Sequence, residues 1–117
     1  MRDYWQHPEW TLRNREGDCE DFAWLAYEVL KKQGYSPELI SVTHSNGNTH
    51  AVCAFFANLS WYHMSNWRMK KCDNALCLKD VAQYVYRNWI VCEVYSPVQI
   101  KLGKAKPILR YYKGVNL

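Results

Sequence analysis

Long apolar runs are missing from this 117-residue chain. Nothing in it approaches the roughly 20 apolar residues that a membrane-spanning helix needs. Glycine and proline are scarce, five and four residues, which excludes a collagen-like or low-complexity chain. The cysteines number five, and an odd number leaves at least one thiol outside any intrachain bridge, so a disulfide framework is excluded. Extended basic runs are absent too. The nearest are Arg68-Met69-Lys70-Lys71 and the set Lys101, Lys104, Lys106. With a formal net charge of only +4, both read as solvated surface and argue against a nucleic-acid partner. The N-terminus, Met1-Arg2-Asp3-Tyr4, lacks the pattern of a signal peptide, and a cytoplasmic protein with no membrane partner is expected. No internal repeat is visible.

What is present fits a folded globule. Apolar residues make up 49 %, and six Trp with nine Tyr predict an aromatic-rich core and aromatic clefts. The length fits one domain over residues 1–117. Tyr4 to Leu12 is aromatic and interrupted by Pro8, so it reads as a loop or short helical turn leading to a polar link over 13–16. A helix is predicted from Asp18 to about Gln33, with Gly34 as its stop. Strands are predicted over 39–44, 50–56 and 60–65, separated by Asn46-Gly47 and by Ala57-Asn58-Leu59 turns. The nearly unbroken apolar run of 50–56 is that of a strand buried on both faces. A second helix over 74–88 presents Leu78, Val81, Ala82 and Val85 on one side, and a strand over 89–95 follows. The tail from Pro97 adds one further strand near 108–112. The order of helix, three-stranded meander, helix and strand is an α+β layout.

The chemistry gathers on Gly17-Asp18-Cys19-Glu20-Asp21-Phe22-Ala23. Gly17 permits a sharp turn, Asp18 can cap the helix, and Asp21 adds charge to the first turn. Phe22, Leu25, Ala26, Val29 and Leu30 define the buried stripe, with Cys19 at its top. A thiol at a helix N-terminus has its pKa lowered by the macrodipole and lies beside N–H groups that can hold an oxyanion. An isolated cysteine there is more often a small apolar filler. His50, opening the most buried strand, supplies the base that such a nucleophile needs. A third group must fix the imidazole, and the next strand ends in Ser65-Asn66-Trp67, with Asn66 the better acceptor and Ser65 the second candidate. His44, His50 and His63 with Cys72 and Cys77 could be imagined around a metal, but the Cys72-x4-Cys77 spacing is loose and no metal or cofactor is expected. Cys53 and Cys92 read as core, His63 as a half-exposed sheet residue, and His7 as surface.

Gly17-Asp18-Cys19-Glu20-Asp21-Phe22-Ala23 before a helix, Thr49-His50-Ala51-Val52 at a strand start, and a Trp61-containing strand ending in Ser65-Asn66 together resemble the transglutaminase-like superfamily. The likeness is greatest to its small bacterial cysteine proteinases, and it extends to Tyr4-Trp5-Gln6-x-Pro8-Glu9-x-Thr11-Leu12. It implies a papain-like fold, with the N-terminal helix packed on an antiparallel sheet, and a Cys-His-Asp triad that transfers acyl groups from amides. Cys19 would carry the thioester and His50 would act as base and then acid. The Cys19 N–H, with Trp5 or Gln6, would form the oxyanion hole, Asp18 would border the substrate groove, and Trp5, Trp10, Trp61 and Trp67 would either line that groove or belong to an aromatic core. The implied partner is a peptide or protein substrate. Where the family places its aspartate this chain has Ser65, then Asn66, and no aspartate stands between Asp21 and Asp73. Asp73 could reach the site only by swinging in. The alternative expectation is a catalytically inactive papain-fold module that binds a peptide or protein in the same groove.

Overall fold

The computed structural model describes residues 5–14, 17–66 and 68–114. In chain order the elements are α1 (Pro8–Asn14), α2 (Cys19–Lys32), β1 (Glu38–His44), β2 (Thr49–Ala57), β3 (Ser60–Ser65), β4 (Arg68–Cys72), α3 (Leu78–Val85), β5 (Trp89–Tyr95), α4 (Pro97–Lys101) and β6 (Leu109–Tyr112). The six strands form one antiparallel sheet in the order β4-β3-β2-β1-β5-β6, an α+β architecture. No helix among the described residues is long and apolar enough to cross a membrane.

Alternation along the strands divides the core between two faces. Ile40, Val42, Val52, Ala54, Cys92 and Val94 face Val81 and Ala82 of α3. Leu39, Ala51 and Tyr95 face Ala23 and Trp24 of α2, with Trp5 and Ile100 closing that side. Each fully buried aliphatic side chain on these faces contributes about 1.5–3 kcal/mol relative to exposure. Turns set the register. Gly47 takes φ +96° in the β1–β2 hairpin, as the Asn-Gly signal predicts, and Asn58 and Leu59 both take positive φ between β2 and β3. Gly34, at φ +93°, closes α2 while the Tyr35 N–H returns to the Leu30 carbonyl at 3.1 Å, a Schellman stop.

Several expectations need correction. Of the predicted stripe of α2, Leu25 and Ala26 are buried, Phe22 and Leu30 are half-buried and Val29 is exposed, while Ala23 and Trp24, outside that stripe, are the residues buried against the sheet. Ala23 of α2 and Ala51 of β2, both small and buried in one cluster, let the helix lie close to the strand. Residues 68–72, expected as plain surface, form the edge strand β4. Its exposed Arg68, Lys70 and Lys71 leave no apolar alternation, and such charges protect an open edge from pairing with another chain. Helix α3 is shorter than 74–88, because Asn74 takes φ +64° and breaks the helical path before Leu78. A short α4 follows Ser96, whose hydroxyl accepts from the Gln99 N–H with Pro97 in the first turn.

Candidate active site

The N-terminus of α2 is held by a reciprocal capping box. The Asp18 carboxylate accepts from the Asp21 N–H at 3.1 Å, and the Asp21 carboxylate accepts from the Asp18 N–H at 3.0 Å. Asp21 does more than charge the first turn. Its other oxygen accepts from the Gln6 N–H at 2.7 Å, and the Gln6 side-chain amide donates to buried Thr11 at 2.8 Å. One buried carboxylate thus ties the segment before α1 to the start of the cysteine helix. An acid three residues after the N-cap was the available signal.

The space around Gly17 explains the glycine. A Cβ there would stand 2.7 Å from Asp21 Oδ2 and 2.8 Å from Asp21 Cβ. Because that carboxylate is pinned by two backbone donors, Gly17→Ala should cost about 2 kcal/mol through overpacking. Thermal unfolding of the variant measures this, and an unchanged melting temperature would contradict it.

Cys19 opens α2, half-buried, and its Sγ accepts from the Ala51 N–H at 3.4 Å. Ala51 is joined by its amide to His50, so the sulfur lies against the backbone that carries the imidazole. Burial pushes the Cys19 thiol above its ordinary value. The Ala51 N–H opposes this, while the nearby Glu20 and Asp18 carboxylates add to it. The lowered pKa expected from the helix terminus is therefore not found, because burial and two flanking acids outweigh the dipole.

His50 Nε2 and Ser65 Oγ are 2.5 Å apart. Ala54 pairs with His63, so alternation puts His50, Val52 and Ala54 on the same sheet face as His63 and Ser65. Ser65, ranked second from sequence, thus meets the imidazole. Asn66, ranked first, is exposed in the left-handed turn at φ +55° between β3 and β4. Asp73 is placed too far away. It follows Cys72, which pairs with Trp61, at the end of β3 remote from Ser65, about 13 Å along the strand. Burial also lowers the His50 pKa. The resting site therefore holds a neutral thiol and a neutral imidazole. Tyr86, unmarked in the sequence, flanks the His50 ring at 6.4 Å and the His44 ring at 5.2 Å.

Of the groove and oxyanion candidates, Trp5 is core, 7 % exposed and 5.3 Å from the Tyr95 ring, because its indole fills the space between α2 and β5. Gln6 stays beside the helix start through its bonds to Asp21 and Thr11. Asp18 is engaged as the cap. Trp67, like Tyr4, lies outside the described residues. The imagined metal set does not converge, since Cys72 is in the core and Cys77 is exposed. Among the described residues no group of three or more His, Cys, Asp or Glu could hold a metal.

A family model described as "transglutaminase-like domain" matches residues 2–95, which span α1 to β5. The chain belongs to the transglutaminase-like family. Comparison with curated proteins and with solved structures gave no match. The transglutaminase-like core thus includes the cysteine helix and the strands that carry His50 and Ser65, whereas α4 and β6 lie beyond the matched span.

Within this transglutaminase-like core a cleft of about 520 Å³ opens beside the His50–Ser65 pair, between β3–β4 and α3. His63 lines it and is 3 % exposed, which corrects the half-exposed expectation: β4 on one side and α3 above bury the ring. Neither of its ring nitrogens has a hydrogen-bond partner. Burial, followed by the charges of Lys70 and His50, pushes the His63 pKa down to about 4. A histidine lowered from 6.5 stabilises the fold fully above pH 6.5, and that contribution is lost as pH falls from 6.5 toward about 4. The loss amounts to at most about 3 kcal/mol. In urea unfolding, His63→Phe should therefore lose less stability between pH 7 and pH 4.5 than the unmodified protein does. Equal losses would contradict this.

Proposed function

We propose that the protein is a transglutaminase-like thiol enzyme that cleaves or transfers peptide or side-chain amides through an acyl-Cys19 intermediate. One observation carries this reading: the Cys19 sulfur rests on the peptide that follows His50, and the far nitrogen of His50 is bonded to Ser65. In this reading Cys19 is the nucleophile, His50 the base and Ser65 the orienting group, the three roles that acyl transfer requires. With Nε2–H donating to Ser65, Nδ1 keeps the lone pair that takes the thiol proton. As that proton leaves, the sulfur attacks the amide carbonyl. The carbon–nitrogen bond then breaks, and His50 returns the proton to the departing amine. Water or a second amine attacks the thioester and regenerates the thiol. In this reading the Cys19 N–H, at the first position of α2, contributes to the oxyanion hole. Gln6, held beside the helix start by Asp21 and Thr11, is the second oxyanion candidate of this reading.

The neutral thiol and imidazole set this site apart from a preformed thiolate–imidazolium pair. A serine hydroxyl can donate as well as accept, so it holds the Nε2–H tautomer less firmly than a carboxylate. Base catalysis during attack is the mode that fits. A second reading, a module that binds a peptide in the same groove without chemistry, is favoured because Ser65, where the family places its aspartate, is the residue bonded to His50. Incubation with an activated aryl ester, followed by mass spectrometry, separates the two. The enzyme reading requires an acyl adduct on Cys19 and a burst of phenol equal to the protein present, both lost in Cys19→Ala. Acylation spread over several cysteines, or none, would leave the binding module.

A further inference from the structure

The cleft beside His50 contains more polar chemistry than the acyl transfer uses. His63 pairs with Lys70 and Ser65 with Arg68 across β3 and β4, so all four side chains share the sheet face on which His50 lies. Arg68 and Lys70 bring two positive charges to the lining, and among the described residues no carboxylate lines the cleft. His63 presents a buried ring whose two nitrogens are without hydrogen-bond partners. A buried polar group left unsatisfied costs about 1–3 kcal/mol, so a ligand that accepts from it recovers that cost on binding. The guanidinium fork matches the two oxygens of a carboxylate, and a lysine and an imidazole N–H complete the cradle.

We propose that this cleft is a carboxylate subsite for the amine-bearing half of the substrate. The placement follows from the chemistry: His50 gives its proton to the leaving nitrogen, so the leaving group is the part of the substrate nearest the imidazole. Given the acyl-transfer reading on which it rests, the enzyme selects amides whose amine component is an amino acid or peptide with a nearby carboxylate. The electrostatic field of Lys70 already acts on His63, and a bound carboxylate reverses the sign of that field.

The test uses the full chain with Cys19→Ala, so that binding is read without turnover. N-acetyl-alanyl-glutamate and its diamide are titrated while the His63 ring proton shifts are followed by NMR. The acid should saturate the His63 shifts with at least tenfold higher affinity than the diamide. R68Q/K70Q should bring the acid down to the level of the diamide. Lys71→Gln, at the neighbouring position turned to the opposite face of β4, should change nothing. Equal binding of acid and diamide, or an R68Q/K70Q variant that binds normally, would overturn the proposal. So would inorganic phosphate binding more tightly than the acid. Since none of these readouts needs an acyl-enzyme, failure of the subsite and failure of the enzyme reading remain distinguishable.

Discussion

His50→Ala should slow acylation of Cys19 by an activated aryl ester by about 10²–10⁴-fold near neutral pH. The size follows from the resting protonation states. Burial keeps the Cys19 thiol protonated and the imidazole neutral. A protonated thiol is a poor nucleophile, so the proton must be removed as the carbon–sulfur bond forms, and the proposed base is His50, whose neighbour Ala51 meets the sulfur through its N–H. Without it only the small thiolate fraction reacts. The alanine variant should recover its rate as pH is raised toward the thiol pKa, whereas a collapse of the fold would not be reversed by alkali. Equal rates for variant and parent at pH 7 would show that the imidazole takes no part. Ser65→Ala should cost less than His50→Ala, because the ring loses its anchor and keeps its basicity.

Asp21→Ala should lower stability by about 3 kcal/mol, a fall in melting temperature of roughly 10 °C. Asp21 is 2 % exposed, and both its oxygens are occupied by backbone donors from Gln6 and Asp18. Burial pushes its carboxyl up, and the two N–H donors oppose that shift. Alanine leaves both donors without their acceptor and opens a void against Gly17. Because the Gln6 bond is the tie between the N-terminal segment and α2, the variant should also acylate more slowly at temperatures where it remains folded. Asn keeps the shape but turns an N–H₂ toward one donor, so Asp21→Asn should recover only part of the loss. Thermal unfolding followed by circular dichroism reads all three proteins. A melting temperature within about 2 °C of the parent would contradict the pinning role, since it corresponds to well under 1 kcal/mol.

Elements with two independent sequence signals were legible. Helix α2 had a cap, a period and a glycine stop, and β1 with β2 had β-branched or apolar runs around Asn46-Gly47. Strand β4 was not legible, because an edge strand facing water on one side carries no apolar pattern. The Ser96-Pro97 start of α4 was legible in principle, as a cap followed by proline, and was passed over as tail. The placement of Cys19 at the start of α2 and of His50 near the start of β2 could be read from their local elements alone. The third residue could not, since one position along a strand reverses the face. Only the pairing of Ala54 with His63 places Ser65 on the His50 side, leaving Asn66 in the turn. His63 was misjudged for a related reason. Its own strand alternates in an ordinary way, and the groups that bury it come from β4 and α3, far along the chain.

The measurement that most directly tests whether Cys19, His50 and Ser65 act as one unit is iodoacetamide alkylation, resolved by mass spectrometry at each cysteine across pH. In the unmodified protein the Cys19 rate should climb with pH toward a midpoint above that of an ordinary thiol. In Ser65→Asp, a carboxylate beside the imidazole raises the His50 pKa by about one unit and favours the thiolate–imidazolium pair. The Cys19 rate at pH 7 should then rise about tenfold, with Cys77 unaffected. Superimposable Cys19 profiles for the two proteins would contradict the coupling, and with it the proposed chemistry of this site.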